Sequence, residues 1–358
     1  MRNPRVALSV AAGLIGMAAI VFYLRIGWLI PEPESVDAAR MGYCFDVATD
    51  EAGSRLYVAA GTRGLHVLDV VGARLRYVST YYDDGYYRNV TVHEGWVFVA
   101  DARRGLVILD ARSDSLRTAW VQSSGKAYGI HVENDRAYIA AAEDGLAIFD
   151  VSRPNAPVLL GTLGTGGHVW DVWARNGLAY LADMDSGLVV VDVSTPAEPR
   201  RVSSASWTAR YPTAEIVRGE RNTIYIAASR HGLVIVDVSD PTRPAVVARY
   251  RPLRVGKAEG LAVRQGTVFL AMGSRAIGLT TINNGLHIID VSDPQSPSLL
   301  GMARFPGWVE GVHVADSMVF VANTYVGVRS IDVREPAEPR IVSSFGEIPR
   351  TAVPILPR

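Results

Sequence analysis

Residues 232–241 read Gly232-Leu233-Val234-Ile235-Val236-Asp237-Val238-Ser239-Asp240-Pro241, and the chain repeats this pattern seven times. A Gly is followed by alternating apolar residues and, five positions on, by an Asp: Gly64 and Asp69, Gly105 and Asp110, Gly145 and Asp150, Gly187 and Asp192, Gly232 and Asp237, Gly285 and Asp290, Gly327 and Asp332. The steps between the glycines are 41, 40, 42, 45, 53 and 42 residues. A period of this length marks a repeat architecture, and the repeat decides the fold before any single element does.

Each copy divides into four short apolar runs bounded by turn residues. In the third, residues 129–133 alternate, Asn134-Asp135 turns, 136–141 run apolar, Glu143-Asp144-Gly145 turns again, and 146–151 and 157–162 complete the unit. Runs of five or six residues, with turn signals every 8–12 residues, read as strands. Four strands in about 40–45 residues is one blade of a β-propeller. The expected fold is therefore all-β, a seven-bladed propeller over residues 42–346.

A residue that recurs in every copy serves the blade, because a chemical group for catalysis is needed once. The Gly permits the positive φ of a tight hairpin. The Asp can accept backbone N–H groups in the turn that follows. Five copies then carry two prolines, as in Pro241 and Pro244, which pre-set the link to the fourth strand.

Residues 233–241 and 286–294, the latter reading Leu286-His287-Ile288-Ile289-Asp290-Val291-Ser292-Asp293-Pro294, resemble the LVIVD-repeat family of propeller proteins. The resemblance covers all seven copies. It implies a bacterial or archaeal propeller, often at the cell surface, and it supplies no catalytic residues.

The N-terminal segment is of another kind. Residues 6–24 are apolar or small throughout, and Arg2 and Arg5 precede them while Glu32, Glu34 and Asp37 follow. Such a run spans roughly 28 Å as a helix, close to the hydrocarbon thickness of a bilayer. The segment ends in Phe22-Tyr23-Leu24 and reaches Trp28 without a small-residue cleavage site, which fits a retained anchor better than a cleaved signal. Residues 1–30 are thus expected to hold a transmembrane helix, 31–41 a linker stiffened by Pro31 and Pro33, and 347–358 a loose tail. The flanking charges place the propeller on the extracytoplasmic side, in the periplasm or at the cell surface.

The 358 residues carry 36 Lys plus Arg and 36 Asp plus Glu. That balance argues against nucleic acid, which is bound mainly by excess cations. Cys44 is the one cysteine, so no intramolecular disulfide forms. The sequence contains no G-x-S-x-G, P-loop or dinucleotide fingerprint.

Site candidates come from the rim where first strands begin, since loops on a rigid scaffold vary freely. Aligned on their apolar centres, the first strands put Asp46, Asn89, Gly129, Asp171, Glu215, Gly260 and Gly311 at one level. Phe45, Arg88, Tyr128, Trp170, Ala214, Glu259 and Glu310 precede them. Five carboxylates (Asp46, Asp171, Glu215, Glu259, Glu310) then meet at the channel mouth, with Arg88 as the cation of these two levels. Crowded carboxylates raise one another's pKa or attract a cation, and a divalent ion such as calcium suits all-oxygen ligands. Solvated wall residues would look the same in sequence. Tyr86, Tyr87, Trp207, Tyr211 and Trp308 lie in the links between blades, as anchors for recognition or as packing across blade tops. Blade six has a longer turn at residues 274–283.

The expected function is a membrane-anchored interaction module that meets a protein or glycan at the channel-mouth rim, with no cofactor required. A metal-dependent hydrolase or lyase using the mouth carboxylates is the alternative, and a structural envelope protein the second.

Overall fold

The computed structural model describes residues 41–113, 115–122, 125–252, 256–273, 284–305, 307–324 and 326–346. The expected anchor at 6–24, the long turn at 274–283 and the tail at 347–358 lie outside the described residues. Among the described residues no helix is long and apolar enough to cross a membrane.

The described strands form seven antiparallel sheets of four, each sheet using four strands consecutive in sequence. Blade one comprises Asp46–Thr49, Arg55–Ala59, Leu65–Val71 and Arg74–Tyr81, and blade seven comprises Val309–Ala315, Met318–Asn323, Gly327–Asp332 and Arg340–Phe345. Among the described residues neither borrows a strand from the other. The seam between them is closed by packing, with Met41, Cys44, Val47 and Val58 against Phe320, Val328 and Phe345. Hydrogen bonds also join it, such as Cys44 N–H to the Thr324 carbonyl at 3.2 Å and Leu75 N–H to the Ser343 hydroxyl at 3.3 Å. Met41 is buried at this seam. Burial pushes the Cys44 thiol up to about 12, which keeps it protonated.

Every blade-to-blade space is filled in the same way. Tyr180, Leu188 and Val190 of blade four meet Val217, Ile224, Ile226 and Val234 of blade five. The second and third strands are apolar on both faces because both are covered by a neighbouring blade. Each large side chain so buried contributes about 1.5–3 kcal/mol.

The repeated residues do what their repetition implies. All seven glycines at the head of the third strand have positive φ, from 78° at Gly232 to 130° at Gly285. A Cβ on Gly232 would also stand 2.3 Å from the Tyr250 carbonyl oxygen of the fourth strand. Asp237 accepts the Ser239 N–H at 2.9 Å and its hydroxyl at 2.6 Å, and the Asp150–Ser152 and Asp192–Ser194 pairs repeat this geometry. The proline-bearing link of one blade leans on the preceding blade: the Ser203 hydroxyl donates to the Pro241 carbonyl at 2.6 Å.

Candidate functional site at the channel mouth

The first strands run side by side around the central channel, so their residues form rings. Register fixes which residues share a ring, because each first strand pairs with an Ala of its second strand. Asp46, Asn89, Gly129, Asp171, Ile216, Gly260 and Gly311 pair with Ala59, Ala100, Ala140, Ala182, Ala227, Ala271 and Ala322. Blade five therefore corrects the sequence alignment by one residue: Ile216 occupies this ring and Glu215 the one before it. The first-strand N–H donating to the same Ala carbonyl belongs to Phe45, Tyr128 and Glu215 in blades one, three and five.

The inner ring is made of ties between blades. The Asp46 carboxylate accepts from the Asn89 amide at 2.8 Å and the Val90 N–H at 3.1 Å, and Asn89 Oδ1 in turn accepts the Ile130 N–H at 3.1 Å. Asp171 accepts the Val217 N–H at 3.0 Å and a short bond from Arg218. Gly129, Gly260 and Gly311 stand where the next blade comes too close for a side chain; a Cβ on Gly260 would lie 1.8 Å from the Glu310 carbonyl oxygen. Burial pushes the Asp46 carboxyl up to about 7, against the pull of Arg218. Asp171 is raised for the same reason, with Arg218 again opposing. Asp46, Asn89 and Asp171 are buried joints and not part of an open acidic mouth.

The outer ring is the mouth. Its members are Phe45, Arg88, Tyr128, Trp170, Glu215, Glu259 and Glu310. In blades two, four, six and seven this residue is the extra one of a β-bulge: pairing skips Arg88, Trp170, Glu259 and Glu310. A bulge re-aims one side chain without breaking the strand. A second bulge, between third and fourth strands, occurs in all seven blades and belongs to the repeat. The mouth bulges occur in four.

The mouth is divided by chemistry. On one arc the Arg88 guanidinium carbon lies 4.9 Å from the ring centres of Phe45, Tyr128 and Trp170 alike. Tyr128 and Trp170 meet edge to face at 5.5 Å, and His168 leans on both at 5.4 and 6.0 Å. Tyr86 tilts against Phe45 at 5.6 Å. On the other arc stand Glu215, Glu259 and Glu310, with the Lys257 ammonium 3.9 Å from Glu259 and 5.7 Å from the Trp308 ring. Burial pushes Glu215 up to about 7, opposed by a hydrogen bond with Ser229 and by the charges of Lys257 and Arg88.

The rim aromatics separate by burial. Tyr87 is fully buried, its hydroxyl donating to Asp83 at 2.6 Å, and Trp207 is 6 % exposed with Nε1 donating to the Pro212 carbonyl at 2.8 Å. Both pack across blade tops. Tyr211 is 71 % exposed, and Tyr86 and Trp308 are half-buried at the mouth.

From the inner ring downward the channel holds a cavity of about 290 Å³, lined in part by Asp46, Asn89, Thr49, His131, Arg218 and His313. Arg218 is a channel cation that sequence reading missed; it sits two residues past the ring position and reaches back to Asp171 of the preceding blade. Burial and then Arg218 push His131 down to about 3 and His313 down to about 4, so both rings are neutral. His131 Nδ1 accepts the Ala174 N–H at 3.2 Å, and His313 Nε2 lies 2.9 Å from the Thr49 hydroxyl. Among the described residues no group of three or more His, Cys, Asp or Glu side chains is placed to hold a metal ion.

Sequence reading also passed over Asp101 and Asp183. Asp101 accepts the N–H groups of Tyr86, Arg103 and Arg104 and pairs with the Arg104 side chain at 2.6 Å. Asp183 accepts from Asp185, Ser186 and Thr165. Each ties its turn to the incoming link, and the available signal is an Asp four residues before the repeat Gly.

The LVIVD repeat is matched over residues 84–115, 124–165, 166–205, 221–251 and 281–303. No curated protein matches the chain. Solved structures with a similar fold include U3-55K, at 11% identity over 79% of this chain and 89% of that one, with a TM-score of 0.64. The β-propeller domain of Cps50 (Swd1) from Myceliophteria thermophila is 11% identical over 88% of this chain and all (100%) of that one, TM-score 0.62. The extracellular domain of BT4673 from B. thetaiotaomicron is 10% identical over 81% of this chain and 38% of that one, TM-score 0.59. At these identities the likeness is one of fold. With its repeat matched five times along seven blades, the chain belongs to the LVIVD-repeat family of β-propeller proteins.

Proposed function

We propose that this chain is a membrane-anchored, extracytoplasmic binding module that engages a protein or glycan through its channel mouth. The observation that carries this reading is the set of mouth bulges. Four blades out of seven turn Arg88, Trp170, Glu259 and Glu310 toward one opening by a local departure from the repeat. Bulges are over-represented at rims and beside binding sites, where they re-aim a side chain on an otherwise rigid scaffold. The apolar run at residues 6–24 and its flanking charges support the anchor and the extracytoplasmic side. The extracellular domain of BT4673 shows that a propeller of this fold serves outside a cell.

The test is capture from native envelope extract, with the full chain as bait beside a mouth variant carrying Trp170→Ala, Glu259→Gln and Glu310→Gln. Asp171 is left intact, since it ties blade four to blade five. A partner held by the native bait and lost by the variant, with both baits melting alike, supports the reading. Equal capture by the two baits would move the site away from the mouth.

A further inference from the structure

The Arg88 guanidinium packs against three aromatic rings, and its charge acts on Glu215 across the mouth with no hydrogen bond or ion pair between the two. Phe45, Tyr128 and Trp170 come from blades one, three and four, and Arg88 from blade two, so four blades build one cage. Among the described residues no carboxylate, carbonyl or hydroxyl accepts a hydrogen bond from Arg88. The other channel cation differs: Arg218 is spent on Asp171 and the Val217 carbonyl. A guanidinium carries five N–H donors in a planar fork that matches a carboxylate bidentately. The rings hold the guanidinium by its charge, and aromatic contacts of this kind supply no oxygen acceptor for its N–H donors.

We propose that Arg88 is the anion receptor of the mouth and that its ligand is a carboxylate-bearing sugar of the uronic-acid class. The proposal rests on the mouth being the binding site. The carboxylate takes the fork of Arg88. The half-buried rings of Tyr128 and Trp170 give apolar surface for the C–H face of a pyranose. Glu215 and Glu310, half-buried across the opening, offer acceptors for sugar hydroxyls, and together with the buried Glu259 they repel a dianion more than a monoanion. This selects carboxylate over phosphate.

The full chain is titrated with glucuronate, galacturonate, glucose, galactose and inorganic phosphate, following tryptophan fluorescence and heat. The uronates should bind at least tenfold more tightly than the neutral sugars and than phosphate, and high salt should weaken them. Arg88→Gln should cost tenfold or more in uronate affinity and abolish the preference for uronates over the neutral sugars. Arg88→Lys, which keeps the charge and loses the fork, should fall between, and it keeps the test open if Arg88→Gln does not fold. Equal affinity for uronates and neutral sugars, or uronate binding untouched in both variants, overturns the proposal. If the mouth variant loses a captured partner while the uronates show no preference, the binding module stands and the carboxylate assignment falls. If capture is indifferent to the mouth, the parent reading falls instead.

Discussion

The Asp46 carboxylate of blade one accepts both the Asn89 side-chain amide, at 2.8 Å, and the Val90 N–H, at 3.1 Å, of blade two. It does so buried, and burial pushes its pKa up to about 7 from an ordinary 3.8. A raised folded-state pKa means stability that is fully present below pH 3.8 and is lost as pH rises through about 7. Asp46→Asn removes that titration. The variant should gain on the native chain by up to roughly 1 kcal/mol per pH unit between pH 4 and 7, then level off. Melting of the two proteins across this range checks it, and parallel curves would refute it.

His131 works in the opposite sense. Burial depresses its pKa from 6.5 to about 3, and its Nδ1 must stay unprotonated to accept the Ala174 N–H. Its stability is present above pH 6.5 and is lost as pH falls toward 3. His131→Gln keeps an acceptor and does not titrate, so it should gain on the native chain as pH drops from 7 to 4. A difference curve of the same sign as that of Asp46→Asn would show that burial of the ring is not the governing cause.

Gly232→Ala should destabilise the protein by at least about 1–3 kcal/mol, the usual cost of a side chain held at positive φ. The Cβ would add a collision at 2.3 Å with the Tyr250 carbonyl oxygen. Chemical denaturation gives the number; a loss below half a kcal/mol would mean that the hairpin shifts to make room.

Trp207→Ala should cost about 3–5 kcal/mol, since the ring is buried and its N–H is bonded to the Pro212 carbonyl. Tyr211→Ala, four residues away and 71 % exposed, should stay within about 0.5 kcal/mol. Two aromatics that look alike in sequence thus separate in a single pair of melts.

The fold was legible because seven copies of Gly and Asp override any ambiguity in one. The site was legible only in part. Arg88, Trp170, Glu259 and Glu310 were found by alignment, yet nothing in the sequence announces that each is a bulge. Glu215 slipped by one because Ile216 and Val217 are both apolar, and the alignment took Ile216 as the strand centre where Val217 is the equivalent of Val47 and Val90. Asp46 and Asp171 read as open acids because sequence does not reveal that the next blade's N–H groups come within reach. Arg218 was missed for a similar reason: its length lets it serve a ring two residues above its own.

Two complete blades meeting at a seam also settle how the ring responds to force. In a propeller closed by a shared strand, pulling the ends apart shears a sheet across its hydrogen bonds, all loaded at once. Here the load falls on side-chain packing between Met41, Val47 and Phe345 and their neighbours. It falls also on scattered hydrogen bonds, such as Cys44 N–H to the Thr324 carbonyl and Leu75 N–H to the Ser343 hydroxyl, none of them part of a strand ladder. A chain pulled through residue 41 should therefore open like a clasp, surrendering blade one while the other blades hold. Under the proposed membrane anchoring, the load enters at that end and the seam is the protein's mechanical fuse.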